Sequence, residues 1–273
     1  MRAQALRLDF HGAKGHGVFR QYDENNHIYD EWRRNVLRLI SVERQGPAAI
    51  ITFQRPEAMN AWTFAMRADV IAAMAEADAD ADVRAVIFTG AGPRAFGAGQ
   101  DLKEPGPTLE TADAWIDQWA ALFGTLRGLS KPSIAALNGV AAGSSFQFAL
   151  MADFRVAHEG VRMGQPEINS GVASAMGPWI IRETLGAAHA ADLCLSGRIM
   201  GGEECRRLGL FNRVVTAPDE VVPEAVRLAG ELATKPERAM RLTKARLRDL
   251  SEAGFREALD RWRSMLRETL ARA

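Results

Sequence analysis

The chain of 273 residues is 47% hydrophobic and 25% charged, a composition typical of globular proteins with an apolar core. Its 34 basic and 34 acidic residues give a formal net charge of +0, so no nucleic-acid or membrane partner is expected. The two cysteines form no CxxC pattern and the five histidines lack metal-ligand spacing, so we expect reduced thiols and no metal site. Residues 1–10 lack the continuous apolar run of a secretory signal or membrane anchor, which predicts a cytoplasmic protein.

Strand and helix patterns alternate along most of the chain. Residues 1–36 are rich in Gly, His, Asn and Asp with little periodicity, and we interpret them as an N-terminal extension. From about Ala188 the pattern is almost entirely helical, with Pro223 and Pro236 between segments. Between these regions the sequence predicts, in chain order, strands over 40–44 and 48–53, a helix over 61–79, a strand over 85–89, a helix over 109–129 and a strand over 133–137. This alternation is typical of an α/β protein.

Two glycine-rich segments each follow a predicted buried strand, at residues 96–102 and 138–145. Small residues in such loops let backbone N–H groups approach a ligand closely. The apolar run 146–151 predicts a buried helix that begins at Gly143, and the positive end of its dipole would face the same ligand. These features predict a site for a negatively charged or polarised oxygen.

A carboxylate follows in the segment Gln165-Pro166-Glu167. If the chain returns to the glycine-rich loops, Glu167 would place a general base in the same cleft. A carboxylate after a proline is also common at the start of a helix, where it caps free backbone N–H groups. The residues alone leave both roles open for Glu167.

Five segments, in this order and at this spacing, resemble the crotonase superfamily, also called the enoyl-CoA hydratase/isomerase family: 50–61, 83–104, 131–153, 165–171 and 195–210. The resemblance implies the ClpP/crotonase fold, a right-handed spiral of ββα units with a helical C-terminal region. It divides the chain into an N-terminal extension (1–36), a spiral core (37–200) and a helical oligomerisation region (201–273). It also implies a homotrimer or a dimer of trimers.

The same resemblance assigns roles to backbone groups of the two loops. The amides of Gln100 and Ser144 would form an oxyanion hole, which stabilises the negative charge that develops on a thioester carbonyl oxygen. The implied substrate is a coenzyme A thioester, and no separate cofactor is expected. Contacts to this acyl-CoA are implied for Ala58, Met59, Ala98, Gly99, Asp101, Lys103 and Gly143.

Two positions depart from the pattern of the family's hydratases. Gln147 stands where they carry the first of two catalytic glutamates, while Glu167 occupies the second position. Ala175 stands near the position where hydratases commonly have a glycine close to the catalytic water. A glutamine cannot exchange a proton, but one carboxylate beside an oxyanion hole can move a proton α to a thioester. We therefore take Glu167 and Gln147 as the candidate catalytic residues and favour an isomerase-like proton shift. Hydration stays open if Gln147 positions water.

Other functions are compatible with the same residues. Decarboxylation or carbon–carbon bond chemistry on an acyl-CoA needs less acid/base machinery than hydration. A CoA-ester-binding or RNA-associated protein with vestigial catalysis is an alternative of a different class, which salt-dependent RNA retention would favour. The aromatic residues of the N-terminal extension predict that it packs on the oligomer or on the acyl pocket.

Overall fold

The computed structural model describes residues 39–271, and the predicted extension 1–36 lies outside the described residues. The strands of this part are β1 Ile40–Gln45, β2 Ala48–Phe53, β3 Ala85–Gly90, β4 Ala95–Gly97, β5 Ser133–Leu137, β6 Val140–Ala142, β7 Phe154–His158, β8 Arg162–Gly164, β9 Ile199–Gly201 and β10 Arg213–Val215. Its α-helices are α1 Phe64–Ala79, α2 Ala112–Gly128, α3 Ser144–Met151, α4 Met176–Leu185, α5 Ala187–Ser196, α6 Gly202–Arg207, α7 Val221–Ala233 and α8 Glu237–Ala271. Three 3₁₀ helices within the same residues span Pro56–Ala58, Pro166–Ser170 and Pro218–Glu220.

The strands form two sheets, and from β3 to β8 successive strands of the chain alternate between them. The larger sheet has six strands in the order β1-β2-β3-β5-β7-β10, and the smaller has four in the order β4-β6-β8-β9. Neighbouring strands are parallel except for β1 with β2 and β8 with β9. The pairs β3-β4, β5-β6 and β7-β8 are each followed by a helix, which repeats the predicted ββα unit.

Helices cover both faces of the larger sheet. The main core lies between one face and α1, α2 and α3, while α7 packs on the other face. Strands β3 and β5 are buried at every position, because a parallel strand with helices on both faces has no solvent-facing side. Beneath the glycine-rich loops, the ring of Phe148 contacts four aromatic neighbours: Phe53, Trp62, Phe88 and Phe96. This cluster gives the loops a rigid base.

The predicted strands and the helix at Gly143 are confirmed, whereas two helices begin later than predicted. The first begins at Phe64 because the Thr63 side chain accepts a hydrogen bond from the Met66 N–H at 3.2 Å and caps it. Trp62 is instead extended and forms a parallel bridge with Gln100. The second helix spans Ala112–Gly128 rather than 109–129.

The region after Ala188 is less uniformly helical than predicted. Strand β9 pairs with β8, and strand β10 joins the edge of the larger sheet beside β7. Pro223 lies in the first turn of α7 rather than between segments, because the N–H groups of a first turn have no acceptor inside the helix. Among residues 39–271, no helix combines the length and the apolar character needed to cross a bilayer.

Candidate active site

The two glycine-rich loops touch at Gly99 and Gly143. Gly99 has a φ of 93° and Gly143 a φ of 55°, a region that favours glycine. A Cβ atom on Gly99 would lie 3.0 Å from the Ala142 carbonyl oxygen and 3.4 Å from the Ser144 nitrogen. The Gly99 N–H donates to Ser145 Oγ at 3.1 Å, which ties the first loop to α3. A side chain at Gly99 would therefore force the loops apart.

The amides of Gln100 and Ser144 are both free of protein acceptors among residues 39–271. In the parallel bridge beside Gln100, the Trp62 N–H donates to the Gly99 carbonyl at 2.8 Å and the Asp101 N–H donates to the Trp62 carbonyl at 2.9 Å. This pattern leaves the Gln100 N–H directed away from Trp62. Ser144 is the first residue of α3, where an N–H has no partner inside the helix. Both residues line one cleft.

Glu167 lies in the 3₁₀ helix after β8 and reaches the same cleft. A Cβ atom on Gly143 would lie 3.4 Å from Glu167 Oε1, so the carboxylate is adjacent to the second loop. Burial raises the pKa of Glu167, and hydrogen bonds from Ser174, Gln165 and Gln147 oppose this rise. A carboxylate with a raised pKa in a cleft is a candidate general base.

Gln147 is the direct neighbour of this carboxylate. Its side chain is buried on α3, and its Nε2 donates to Glu167 Oε1 at 3.0 Å. Ser174 Oγ accepts hydrogen bonds from Gln165 Nε2 and from the Gly177 N–H, both at 3.2 Å. These bonds link the segment before Glu167 to the start of α4. Gln147 therefore presents a neutral donor to Glu167 where a second carboxylate would repel it.

The rest of the cleft is largely apolar and holds about 1600 Å³ of empty space, its open mouth included. Its walls come from α2, the start of α4 and the last turns of α8: Trp115, Trp119, Met176, Trp262, Met265 and Leu266. Ion pairs between Arg263 and Asp117 and between Arg267 and Asp113 fasten α8 to α2. This wall is suited to the acyl part of a thioester.

Eight predicted site residues line this cleft: Ala98, Gly99, Gln100, Asp101, Gly143, Ser144, Gln147 and Glu167. Within it, Asp101 supports the first loop. Its carboxylate lies 2.7 Å from Arg55 Nη2 and accepts from the Lys103 N–H at 2.9 Å. Burial opposes ionisation, but the bonds from Lys103 and Arg55 prevail and lower the pKa of Asp101.

The other three predicted contacts, Ala58, Met59 and Lys103, do not line the cleft. Ala58 and Met59 form a turn behind the first loop, and the Met59 carbonyl accepts from the Ala98 N–H at 3.0 Å. Met59 has a φ of 53°, an uncommon conformation for a residue with a side chain. Lys103 is exposed at the rim. Their predicted contacts with CoA stay predictions.

Sequence reasoning missed three polar residues that shape the site. Gln165 and Ser174 hydrogen-bond around Glu167, and Arg67 hydrogen-bonds the side chain of Gln100 at 2.7 Å. Gln165 was recognised only as part of a motif. Nothing in the pattern of α1 distinguishes a buried arginine from a solvated one, because arginine is usually exposed on helices.

Comparisons with known proteins identify the family to which this chain belongs. The family model described as enoyl-CoA hydratase/isomerase matches residues 43–273. A probable enoyl-CoA hydratase, echA8, of Mycobacterium tuberculosis is 38% identical over 221 residues, which cover 81% of this chain and 85% of the relative. A crotonyl-CoA hydratase of Syntrophomonas wolfei is 32% identical over 211 residues, which cover 76% of this chain and 80% of the relative.

Solved structures show the same fold. A carnitinyl-CoA dehydratase from Mycobacterium avium superposes with a TM-score of 0.74 at 32% identity, over 86% of this chain and 94% of that one. An enoyl-CoA hydratase/isomerase from Mycobacterium paratuberculosis gives a TM-score of 0.76 at 25% identity, over 85% and 94%. The chain therefore belongs to the enoyl-CoA hydratase/isomerase family, and the predicted crotonase fold is confirmed.

Proposed function

We propose that this acyl-CoA enzyme transfers a proton through a thioester enolate, with Glu167 as the only acid/base residue. The amides of Gln100 and Ser144 would bind the thioester carbonyl oxygen, where negative charge develops. The observation that supports the proposal most directly is the hydrogen bond of 3.0 Å from Gln147 Nε2 to Glu167 Oε1. This pair consists of one carboxylate and one amide, whereas a standard hydratase would need two carboxylates.

The other carboxylates that line the cleft are engaged elsewhere. Glu104 accepts hydrogen bonds from the Phe64 N–H at 2.8 Å and from Gln100 Nε2 at 3.1 Å. Asp101 is paired with Arg55. A base must reach the proton that it removes, and Glu167 is the carboxylate that adjoins both the second loop and Gln147.

An isomerase-like shift of a 3-enoyl-CoA to a 2-enoyl-CoA fits one base. Glu167 would remove a proton from C2, the two amides would stabilise the enolate, and the resulting carboxylic acid would return the proton to C4. Gln147 would hold Glu167 in place and exchange no proton. Burial raises the pKa of Glu167, which makes its carboxylate a stronger base than an exposed one.

Hydration of a 2-enoyl-CoA is the second candidate, and the names of the relatives favour it. In this reaction Glu167 would take a proton from water and deliver a proton to C2, while the amide of Gln147 would orient the water.

The proposed homotrimer or dimer of trimers and the cytoplasmic location stay predictions. Decarboxylation, carbon–carbon bond chemistry and RNA binding are favoured by no contact among residues 39–271.

Product analysis separates the two candidates. The protein is incubated with 3-enoyl-CoA and 2-enoyl-CoA esters of several chain lengths, and products are identified by mass and retention time. We expect 2-enoyl-CoA from the 3-enoyl esters at a higher rate than 3-hydroxyacyl-CoA from the 2-enoyl esters. Faster formation of the hydroxyacyl ester would favour hydration. Glu167→Gln should slow formation of whichever product forms by ~10²- to 10⁴-fold, and exposed Glu159→Gln is the matched control.

A further inference from the structure

A guanidinium group is completely buried behind the first glycine-rich loop. Arg67, on α1, has 0% of its surface exposed. Its Nε donates to Gln118 Oε1 and its Nη1 donates to Gln100 Oε1, each at 2.7 Å. Its Nη2 has no partner among residues 39–271. Arg67 therefore links α1 and α2 to Gln100, whose backbone N–H is one of the two free amides.

Aromatic rings of the acyl wall enclose the same guanidinium. Arg67 Cζ lies 4.4 Å from the ring centroid of Trp119, which lines the cleft, and 6.0 Å from that of Trp115. Burial lowers the pKa of Arg67 to about 10, and the Glu104 carboxylate partly opposes this effect. Arg67 is therefore still charged at neutral pH, and the charge lies behind the first loop.

The side chain of Gln100 is held at both ends. Its Oε1 accepts from Arg67, and its Nε2 donates to Glu104 Oε2 at 3.1 Å. Glu104 in turn accepts from the Phe64 N–H, and Gln118 Nε2 donates to the Phe64 carbonyl at 2.7 Å. The hydrogen bonds thus form a continuous network around the start of α1, and Gln100 is the member of it that belongs to the loop.

Packing alone does not account for a buried arginine at this place. A buried charge costs desolvation free energy, and apolar replacements of buried ionic groups are often neutral or stabilising. The loop before Gln100 also needs a constraint, because Gly99 has a φ of 93° and no side chain to restrict its rotation. A fixed side chain on Gln100 supplies that constraint.

We propose that Arg67 is a positioning residue for the oxyanion hole, acting through the side chain of Gln100 to keep the Gln100 N–H directed at the thioester carbonyl. This inference rests on the proposed role of the Gln100 amide. It concerns the side chain of a residue that was predicted to act through its backbone alone. Arg67 itself does not line the cleft.

The test compares Arg67→Met, Gln100→Ala and the double variant. Each single change should lower kcat by ~10- to 100-fold, with little change in KM. The upper end of this range approaches the loss seen when one oxyanion donor is removed. Because both changes break the same link, the double variant should lose no more than the more affected single variant. Losses that multiply in the double variant would overturn the proposal. If Arg67→Met does not fold, Gln100→Ala still tests the link, because it removes the acceptor of the hydrogen bond from Arg67.

Arg127→Met is the matched control for the loss of an arginine whose side chain is largely buried, with 9% of its surface exposed. Arg127 Cζ lies 4.4 Å from the Phe255 ring centroid, and its side chain bonds Ser251 and Glu252 at 3.1 Å each, away from both loops. Its removal should cost stability and leave kcat unchanged. Equal kcat values for Arg67→Met and Arg127→Met would refute the role of Arg67.

A second readout requires no turnover. The infrared C=O stretch of a carbonyl-¹³C-labelled enoyl-CoA should fall on binding to the parent protein, because the two amides polarise the carbonyl group. The shift should be smaller in Arg67→Met and Gln100→Ala, and unchanged in Arg127→Met. A full shift in all three variants would refute the role of Arg67 and leave the oxyanion hole standing. No shift in the parent would refute the oxyanion hole and the role of Arg67 with it.

Discussion

Gln147→Glu restores the second carboxylate that hydratases of the family carry. The new carboxylate would lie about 3 Å from Glu167, because Gln147 Nε2 is now 3.0 Å from Glu167 Oε1. Two full charges at this separation repel by about 5 kcal/mol at an effective dielectric constant of ~20. That repulsion raises the pKa for loss of the second proton from the pair by about 4 units. The pair should therefore share one proton at neutral pH.

A shared proton supplies the acid and the base that hydration requires. We expect Gln147→Glu to hydrate a short 2-enoyl-CoA at least ~10-fold faster than the parent, with a bell-shaped dependence of kcat on pH. The assay follows the loss of enoyl absorbance between pH 5 and pH 9. Gln147→Leu removes the amide donor without adding a charge, and should show no gain.

The same substitution should make stability depend on pH. The raised pKa of the pair means that the folded state binds more protons than the unfolded state above about pH 4.3. The free energy of unfolding of the variant should therefore fall, relative to the parent, as the pH rises from about 4.3 through the folded pKa. A variant that still binds the ester but gains neither hydration nor this pH dependence would refute the reasoning about the pair.

Three further predictions follow from the site. Burial raises the pKa of Glu167, so proton transfer should increase with pH through a pKa above the usual ~4.3, and Glu167→Gln should remove this limb of the pH–rate profile. Gly99→Ala should lower both the melting temperature and kcat, at a strain cost of about 1–3 kcal/mol, since its φ is 93° and the loops touch there. Helical Gly124→Ala, with open space around it, should raise the melting temperature slightly and leave kcat unchanged. Trp262→Ala should raise KM for long-chain esters about tenfold more than KM for short-chain esters, since it removes one apolar side chain from the wall; equal effects on both would contradict the acyl role of this wall.

Local signals were sufficient to predict an α/β protein and the position of the two loops, whereas the spiral was predicted from the family resemblance. Strands β3 and β5 are continuous apolar runs, and glycines follow them where the backbone must have positive φ or approach another chain segment closely. The prediction that Glu167 would reach these loops depended on the family resemblance, since no periodicity fixes the path of the chain from Gly143 to Glu167.

The rest of the site depends on contacts that are distant in sequence. Trp262 lies on α8 and packs against Trp115 on α2, and neither helix specifies its partner by its own pattern. Arg67 occupies a helix position where a solvated arginine would have the same local sequence. Strand β10 was missed because its three residues are too few to show a strand period.

Deuterium incorporation tests the central claim most directly. A 3-enoyl-CoA is incubated in D₂O with the parent, with Glu167→Gln and with Glu159→Gln, and exchange at C2 is followed by NMR and mass spectrometry. The account predicts rapid exchange with the parent and Glu159→Gln, and a rate lower by ~10²- to 10⁴-fold with Glu167→Gln. Exchange at the parental rate in a folded Glu167→Gln protein that still binds the ester would contradict the assignment of Glu167 as the base.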